Sequence, residues 1–202
     1  MGLVKKIALD SGELYIWHIT EPFEELISSI ELSEYSQQRL AKMKAENHQK
    51  AFLAVRQVLR QVNIQDIDLV YDANGKPFLA NGQFISISHS FDYAVVVISN
   101  ENIGVDIELK REKIIRLSTK FCNDIELSGT PEQLEEQLDY FTEIWSAKEA
   151  LFKMCNSRSL SFAKDMAVDV IEKKAQVNQG DFKCYFNYQT FRLDNYVLVV
   201  SY

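Results

Sequence analysis

The sequence predicts an α+β fold made of two halves of comparable size. Apolar residues alternate in some segments, as in strands, and recur at helical spacing in others. These segments follow one another in the order strand, helix, strands. This series then occurs a second time, and the two series meet near Asn100-Glu101-Asn102. We therefore predict an N-terminal lobe over residues 1–101 and a C-terminal lobe over residues 102–202.

The N-terminal half is predicted to contain five strands and two helices. The strands lie near residues 12–19, 67–71, 78–80, 84–89 and 92–99, and the helices lie near 22–30 and 33–62. The second helix is a single long one from about Ser33 to Val62. Asn81-Gly82 is a dipeptide typical of tight hairpin turns, so it should join two of the strands.

The C-terminal half is predicted to contain four strands and two helices. The strands lie near residues 103–109, 165–172, 181–188 and 190–201, and the helices lie near 112–121 and 131–154. A turn is expected at Asn178-Gln179-Gly180. Pro131 suits the first turn of a helix, where the N–H that it lacks would have no helical partner.

Composition is typical of an ordinary globular protein, with 47% hydrophobic and 25% charged residues. The net charge of −7 argues against a nucleic-acid-binding protein, which normally presents a basic face. No apolar run is long enough for a transmembrane helix, and no secretory signal follows the first residues, so we expect a cytoplasmic protein. Three separated cysteines suggest reduced thiols, and three scattered histidines do not indicate a zinc site.

A strand that carries two carboxylates begins the C-terminal half. Asp106 and Glu108 alternate with apolar residues, so both project from one face, about 6.6 Å apart at a rise of about 3.3 Å per residue. Carboxylates this close repel each other, and a hard divalent cation with oxygen ligands would remove that repulsion. The motif is short, and a strand face that exposes two acids to water is the alternative interpretation.

An amphipathic helix follows, because Phe141, Trp145 and Phe152 recur at helical spacing. Glu149 lies at the edge of this apolar stripe, and Lys153 follows four residues later. An ordinary ion pair between residues i and i+4 explains the spacing. The catalytic interpretation makes Glu149 a third metal ligand or a general base, and makes Lys153 an ammonium that faces a phosphate.

A third segment presents polar groups on rigid backbone. Asn74-Gly75 marks a tight turn, and Pro77 restricts the backbone after Lys76. The run Ile85-Ser86-Ile87-Ser88-His89-Ser90 predicts a strand that ends in groups able to meet an anion. Taken alone, the first feature is explained by an ordinary turn and the second by a structural histidine.

Together and in this order, these segments resemble the motifs of the 4′-phosphopantetheinyl transferase superfamily, in particular its longer Sfp-like type. The matching segments are Gly75-Lys76-Pro77, Ser88-His89-Ser90, Gly104 to Glu108 and Trp145 to Ala150. The resemblance spans roughly residues 30–172. It implies two similar α/β lobes in one monomeric chain, a pseudo-twofold arrangement with the active site in the cleft between the lobes.

The resemblance also implies a reaction in which the phosphopantetheine arm of coenzyme A moves to a serine of an apo acyl, peptidyl or aryl carrier protein. The other product is 3′,5′-adenosine bisphosphate. Asp106, Glu108 and Glu149 match the Mg²⁺ ligands of the family. Glu149, directly or through a water, also matches the base that deprotonates the serine, and Lys153 matches the lysine that stabilises the departing phosphate. The matching coenzyme A contacts are Lys76 and Pro77 on the adenine side and Ser88 and His89 at a phosphate.

Two features depart from the family pattern. The basic N-terminal arm that grips the 3′-phosphate is only loosely matched, and five residues are available for it: Arg39, Lys42, Lys44, Lys50 and Arg56. Arg39 and Lys50 are our first choices. The Gly/Lys-rich turn expected after Lys153 is replaced by Met154-Cys155-Asn156-Ser157-Arg158, where Arg158 would supply the charge.

Basic residues crowd the segment that follows the carboxylate strand: Lys110, Arg111, Lys113, Arg116 and Lys120. No lysine or arginine occurs again before Lys148, and seven acidic residues fill the gap between Lys120 and Lys148. Charge segregation of this kind can steer an acidic partner to one face. We therefore predict that residues 110–120 help to dock an acidic carrier protein, although a solvated helix explains the same pattern.

Two other functions stay open. Another Mg²⁺-dependent phosphoryl or nucleotidyl transferase would use the same three acids. A catalytically silent homologue that binds carrier proteins would keep the fold, but it would have no reason to keep the three acids together with Lys153.

Overall fold

The structure, a computed structural model, describes residues 3–155 and 159–202. The chain forms two compact units, one that ends at Asn102 and one from Ile103 to Tyr202. Each unit has its own hydrophobic core. Helices and antiparallel strands are mixed in both units, which confirms the predicted α+β class.

The first unit is built on a four-stranded antiparallel sheet. Its elements are, in chain order, β1 (Leu3–Ala8), β2 (Gly12–His18), α1 (Phe23–Ser28), α2 (Glu34–Lys42), α3 (Glu46–Gln61), a 3-10 turn (Asp66–Asp68), β3 (Leu69–Tyr71), β4 (Pro77–Leu79), β5 (Phe84–Ser90) and β6 (Tyr93–Ser99). The sheet order is β1-β2-β6-β5, and β3 and β4 form a separate hairpin. The apolar face of α3, with Leu53 and Val58 fully buried, packs against β2 and β6.

The prediction of a single long helix from Ser33 to Val62 is wrong. It is two helices, because the backbone at Met43 and Ala45 is extended. The side chain of Gln49, in the first turns of α3, donates a hydrogen bond to the Met43 carbonyl at 2.9 Å. This bond gives the Met43 carbonyl a hydrogen-bond partner outside a helix. The sequence does not indicate the break, because no glycine or proline lies there.

A buried ion pair ties α2, α3 and the 3-10 turn together. Arg56 Nε donates to Asp66 Oδ1 at 2.9 Å, and the hydroxyls of Ser33 and Ser36 donate to the same carboxylate at 2.6 and 2.9 Å. Burial alone would raise the pKa of Asp66, but these hydrogen bonds and the charge of Arg56 outweigh it, so the pKa is lowered. Arg56, one of the five basic residues considered for the N-terminal arm, is therefore occupied in the core.

The second unit is built on a five-stranded antiparallel sheet. Its elements are, in chain order, β7 (Gly104–Leu109), α4 (Lys113–Phe121), α5 (Asp124–Ser128), α6 (Leu134–Met154), α7 (Phe162–Asp165), β8 (Met166–Asp169), β9 (Lys174–Gln179), β10 (Phe182–Leu193) and β11 (Tyr196–Ser201). The sheet order is β7-β11-β10-β9-β8. The long helix α6 packs against β7 and β11, and Ile144 and Leu151 share its core with Val197 and Val199.

Several predictions for the second half need correction. The strand predicted over 165–172 is shorter, because the short helix α7 precedes it and a turn follows Asp169. Neither α5 nor β9 was predicted. The last two strands separate at Asp194-Asn195, where Asp194 has a positive φ of 48°, and not near residue 189. Helix α6 begins at Leu134, so Pro131 lies before its first turn.

Gly104 allows β7 to approach α6 very closely. A Cβ on this residue would lie 2.1 Å from the carbonyl oxygen of Ala150 and 2.8 Å from its carbonyl carbon. Both obstacles are backbone atoms, so no side-chain rotation would relieve the clash. The strand that carries Asp106 and the helix that carries Glu149 are therefore held in direct backbone contact.

Gly104→Ala is expected to destabilise the second unit by about 3 kcal/mol, because overpacking of a rigid site costs roughly 1–3 kcal/mol and occasionally more. Thermal unfolding followed by circular dichroism measures this loss. Gly180→Ala is the control, since φ there is +58° but no atom lies within 4 Å of the added Cβ. That change should cost only about 1–2 kcal/mol. Equal losses in the two variants would contradict our explanation of Gly104.

Among the described residues, no helix has both the length and the apolar character needed to cross a membrane.

Candidate active site

Strand β7 brings the first two predicted acids to one face, as the two-residue period requires. Asp106 pairs with Val199 and Glu108 with Val197 of β11, so the two acids are separated by one strand period. Asp106 is buried, with 4% of its surface exposed, whereas Glu108 near the end of the strand is half-buried. The pair therefore extends from the interior of the unit toward its surface.

Helix α6 places Lys153 directly on this strand. Its Nζ donates to Asp106 Oδ1 at 3.0 Å and to the backbone carbonyl of Val105 at 2.7 Å. About a quarter of the lysine side chain stays exposed, whereas that of Asp106 is almost fully buried. The sequence alone suggested an ion pair with Glu149 or a phosphate contact for this lysine. Its closest acidic partner in the structure is Asp106.

Glu149 lies half-buried near both acids of β7, and their charges contribute to a shift of its pKa. Burial and the negative charge of Asp106 raise its pKa to about 7; the charge of Glu108 adds to this and that of Lys153 opposes it. A carboxyl group that titrates near neutral pH can accept and return a proton under ordinary conditions. The structure therefore brings all four predicted residues of the second half into one electrostatic group.

The three acids do not form a finished metal site. Within residues 3–155 and 159–202, no group of three or more histidine, cysteine, aspartate or glutamate side chains is arranged to hold a metal ion. The donor set nevertheless fits Mg²⁺ chemically, because carboxylate oxygens are its preferred ligands. A divalent cation would also offset the repulsion from Asp106 and Glu108 that adds to burial in raising the pKa of Glu149. The roles of Asp106, Glu108 and Glu149 as metal ligands stay a prediction.

Trp145 contributes a polar contact that the sequence reasoning missed. The sequence placed Trp145 in the apolar stripe of the helix, but its indole Nε1 donates to Glu108 Oε1 at 3.2 Å. The only sequence signal for this was its position one helical turn before Glu149. Trp145 is half-buried, and the partner of its N–H is a predicted metal ligand.

A cavity of about 820 Å³ opens beside Glu108 and Glu149. Apolar side chains from α4, α6 and the start of α7 line much of it, among them Leu117, Trp145 and Phe162. Three of the basic residues predicted to dock a partner also line it: Arg111, Lys113 and Lys120. The cavity thus combines two acids, an apolar wall and cations that are exposed at the surface.

The Gly-Lys-Pro segment forms the tight turn that was predicted. Gly75 has a φ of +84°, and the backbone N–H of Asp72 donates to the Lys76 carbonyl at 2.9 Å. The Asp72 carboxylate accepts hydrogen bonds from the N–H groups of Asn74 and Lys76 at 2.8 and 2.9 Å. Asp72, which the sequence analysis did not consider, therefore organises the turn that carries Lys76 and Pro77.

The other predicted coenzyme A residues of the first half lie on α2, α3 and β5. Ser88 is buried and His89 is exposed at the end of β5, where its ring lies 5.9 Å from that of His48. His48 belongs to the first turn of α3, the helix that also carries Lys50. The guanidinium of Arg39 lies 4.1 Å from the ring centroid of Tyr71. Their roles in binding coenzyme A stay predictions, and Arg158 lies outside the described residues.

Comparison with known proteins identifies a family. Residues 102–201 match the family model of the 4′-phosphopantetheinyl transferase superfamily. The chain is similar to the 4′-phosphopantetheinyl transferase gsp of Aneurinibacillus migulanus, with 33% identity over 50% of this chain and 44% of that protein. It is also similar to the 4′-phosphopantetheinyl transferase Sfp of Bacillus subtilis, with 27% identity over 58% of this chain and 54% of that protein. The aligned part spans about half the length of these curated relatives.

Proposed function

Because the chain belongs, through residues 102–201, to the 4′-phosphopantetheinyl transferase superfamily, we propose that it transfers the 4′-phosphopantetheine group of coenzyme A to a serine of an apo carrier protein. The recognition from the motifs is confirmed, and it includes the Sfp-like relatives. The substrates, the metal and the carrier are our proposal. Its main support is the group formed by Asp106, Glu108, Glu149 and Lys153, in which burial and then like charge raise the pKa of Glu149 to about 7.

In the proposed reaction, the serine oxygen forms a bond to the phosphorus that bears the pantetheine. The bond from that phosphorus to the bridging oxygen breaks, and 3′,5′-adenosine bisphosphate leaves with the electron pair. Glu149 takes the serine proton, directly or through a water, as a general base within reach of the hydroxyl would. Lys153 supplies positive charge beside the departing phosphate, where a positioned cation lowers the barrier.

Asp106, Glu108 and Glu149 would hold the magnesium ion, which when bound orients the diphosphate and offsets its charge. Lys153 occupies Asp106 Oδ1 in the structure, so the lysine and the ion would share this carboxylate. The ammonium keeps the buried Asp106 compensated while no divalent cation is bound, which prevents an isolated buried charge.

Coenzyme A would also contact the first half of the chain. We propose Lys76 and Pro77 on the adenine side, Ser88 and His89 at a phosphate, and Arg39 and Lys50 at the 3′-phosphate. The turn organised by Asp72 supports this assignment for Lys76, because it presents the lysine from a fixed backbone. The arrangement of two similar lobes around an active site, the monomeric state and the cytoplasmic location stay predictions.

The experiment that tests the function incubates the protein with an apo carrier, coenzyme A and Mg²⁺ and measures the mass of the carrier. The expected result is the gain of one phosphopantetheine, which disappears when Mg²⁺ is chelated. A panel of other phosphate esters and nucleotides is run in parallel. Transfer from one of these in place of coenzyme A would identify a different phosphotransferase, and carrier binding without transfer would identify a silent homologue.

The basic segment 110–120 is proposed as the dock for the acidic carrier. Arg111 and Arg116 are exposed at the start and middle of this segment, and Arg111 lines the cavity beside Glu149. Reversing both charges in Arg111→Glu/Arg116→Glu should weaken carrier binding about tenfold at low salt, with a smaller effect at high salt where screening already weakens the attraction. Calorimetry at two salt concentrations measures carrier binding and checks this expectation. An unchanged affinity at low salt would contradict the docking role.

A further inference from the structure

We propose that Lys148, which precedes the predicted base, is a positioning residue: its buried ion pair with Glu126 fixes the aromatic side chains that orient Trp145 and, through it, the carboxylate of Glu108. This inference rests on the proposed function for its kinetic consequence. The geometric part, the link from Lys148 to the Trp145 ring, stands on contacts within the second unit.

Lys148 is fully buried. None of its surface is exposed, so it cannot meet a substrate phosphate, although it belongs to the same motif as Glu149. Its Nζ donates to Glu126 Oε2 at 2.6 Å. The ammonium also meets the backbone carbonyls of Phe121 at 2.8 Å, Phe162 at 2.9 Å and Met166 at 3.2 Å.

The ion pair between Lys148 and Glu126 joins several elements of the second unit. The Glu126 carboxylate accepts the N–H of Val168 at 2.8 Å and that of Asn123 at 2.8 Å. One lysine and one glutamate therefore hold the end of α4, the start of α5, the middle of α6, the short helix α7 and the edge strand β8. A buried ion pair with every polar atom satisfied is rigid, and removal of one partner is costly.

Two phenylalanines connect the ion pair to Trp145. The two phenylalanines whose carbonyls Lys148 holds, Phe121 and Phe162, are also the ring neighbours of the indole. The ring centroids lie 5.2 Å apart for Phe121, at an angle of 72°, and 5.4 Å apart for Phe162, at 44°. Aromatic contacts at these distances favour defined angles between the rings. The backbone positions held by Lys148 thus determine the orientation of the indole.

Trp145 in turn contacts the predicted metal ligand Glu108. The indole N–H donates to Glu108 Oε1 at 3.2 Å, and Glu108 lies near the end of its strand, where its side chain is only half-buried. A half-buried carboxylate on a flexible side chain needs such a donor to keep one orientation. Small displacements of groups around a metal commonly lower affinity by about 10- to 100-fold when supporting contacts are lost.

The test replaces the ion pair by neutral groups of similar size, in Lys148→Met/Glu126→Gln, so that no charge is left buried alone. Two properties are measured: the Mg²⁺ concentration that gives half-maximal transfer, and the ¹⁹F spectrum of protein labelled with 5-fluorotryptophan. The chain has two tryptophans, and Trp17→Phe assigns their signals. We expect the half-saturating Mg²⁺ concentration to rise about tenfold, with a shifted Trp145 signal and an unshifted Trp17 signal.

Two further variants separate positioning from plain stabilisation. Phe162→Leu removes one ring neighbour without touching the ion pair, so it should change both properties in the same direction. Lys173→Met is the matched control, because Lys173 pairs with Glu143 on the same helix α6 but does not line the cavity. It should lower the melting temperature while leaving the Mg²⁺ dependence and the Trp145 signal unchanged.

A double-mutant cycle with Trp145→Phe tests the order of the steps. If Lys148 acts through the indole, the ion-pair variant and Trp145→Phe together should change the Mg²⁺ dependence no more than Trp145→Phe alone. Additive effects, or an unshifted Trp145 signal in both the ion-pair variant and Phe162→Leu, would overturn the proposal. If the wild-type protein transfers no phosphopantetheine, the proposed function fails, while the ¹⁹F spectra still decide the positioning role.

Discussion

Glu149→Gln is expected to lower the rate of phosphopantetheine transfer by about 10²–10⁴-fold, the usual contribution of a general base. The amide has the same shape as the carboxyl group but neither accepts the serine proton nor carries the charge that would bind a cation. Because Glu149 is only half-buried on α6, the change should leave the fold intact. Transfer to an apo carrier, followed by mass spectrometry over time, measures the loss.

The same variant should be more stable than the wild-type protein in metal-free buffer at neutral pH. The pKa of Glu149 is raised from 4.5 to about 7, so its contribution to stability is fully present below pH 4.5 and is lost as the pH rises through 7. Glutamine does not titrate, and the difference at pH 8 should be on the order of 1–3 kcal/mol, allowing for solvent screening.

Melting temperatures of both proteins from pH 4 to 8, with and without Mg²⁺, check this dependence. Mg²⁺ should restore the stability of the wild-type protein at pH 8 and have little effect on the variant. Glu136→Gln is the control, since Glu136 is exposed on the same helix. A Glu149→Gln protein that transfers at the wild-type rate, or that follows the wild-type pH dependence, would show that we have assigned the wrong residue.

Lys153→Ala is expected to lower transfer by about 10²-fold and also to destabilise the protein. Loss of a positioned charge beside the departing phosphate accounts for the first effect, since removal of one stabilising donor commonly costs about 10²–10³ in rate. The second effect arises because Asp106 is almost fully buried and loses its ammonium partner. Removal of one partner of a buried pair costs about 3–5 kcal/mol, and less here because Lys153 is partly exposed.

The two effects of Lys153→Ala should respond differently to Mg²⁺. An ion at Asp106 replaces the missing positive charge, so saturating Mg²⁺ should restore much of the lost stability but not the rate. Lys153→Arg keeps the charge and should retain most of the stability in metal-free buffer. Chemical unfolding with and without Mg²⁺, combined with the transfer assay, separates the outcomes. If Mg²⁺ does not stabilise Lys153→Ala, then Asp106 does not bind the ion.

Local patterns predicted where the candidate side chains lie within their own strand or helix. The two-residue period placed Asp106 and Glu108 on one face of β7, and helical spacing placed Glu149 and Lys153 one turn apart. These arrangements depend only on the conformation of one element, which a short stretch of sequence determines. The turn at Gly75 was predictable for the same reason, because it needs a positive φ that glycine adopts easily.

The partners of these side chains were not predictable, because packing between distant elements determines them. Lys153 meets Asp106 across 47 residues of sequence, and Trp145 meets Glu108 across 37. The spacing of Lys148 within its motif likewise suggested nothing of its buried contact with Glu126. Residue type states which contacts a side chain can make, but only the three-dimensional arrangement selects one of them.

The prediction of secondary structure failed where tertiary contacts outweigh the local conformational preference of the chain. Strand β9 escaped prediction because only Ala175 and Val177 of its six residues are buried, which gives a weak alternating pattern. Strand β1 carries the adjacent charged residues Lys5 and Lys6 and is held by pairing with β2. Such segments adopt their conformation because the neighbouring strand offers hydrogen bonds, a property that their own sequence does not contain.

The missing side chain at position 104 also limits how far this protein could be re-engineered. The backbones of β7 and α6 are in contact at Gly104, and any larger residue there would clash with the Ala150 carbonyl. A substitution at this contact therefore cannot widen the spacing between the acids of β7 and Glu149. Under the proposed function, adaptation to a bulkier donor or a different acceptor would proceed through the cavity wall formed by α4 and the start of α7. Selection for new substrates should therefore accumulate changes in that wall and spare the strand–helix junction.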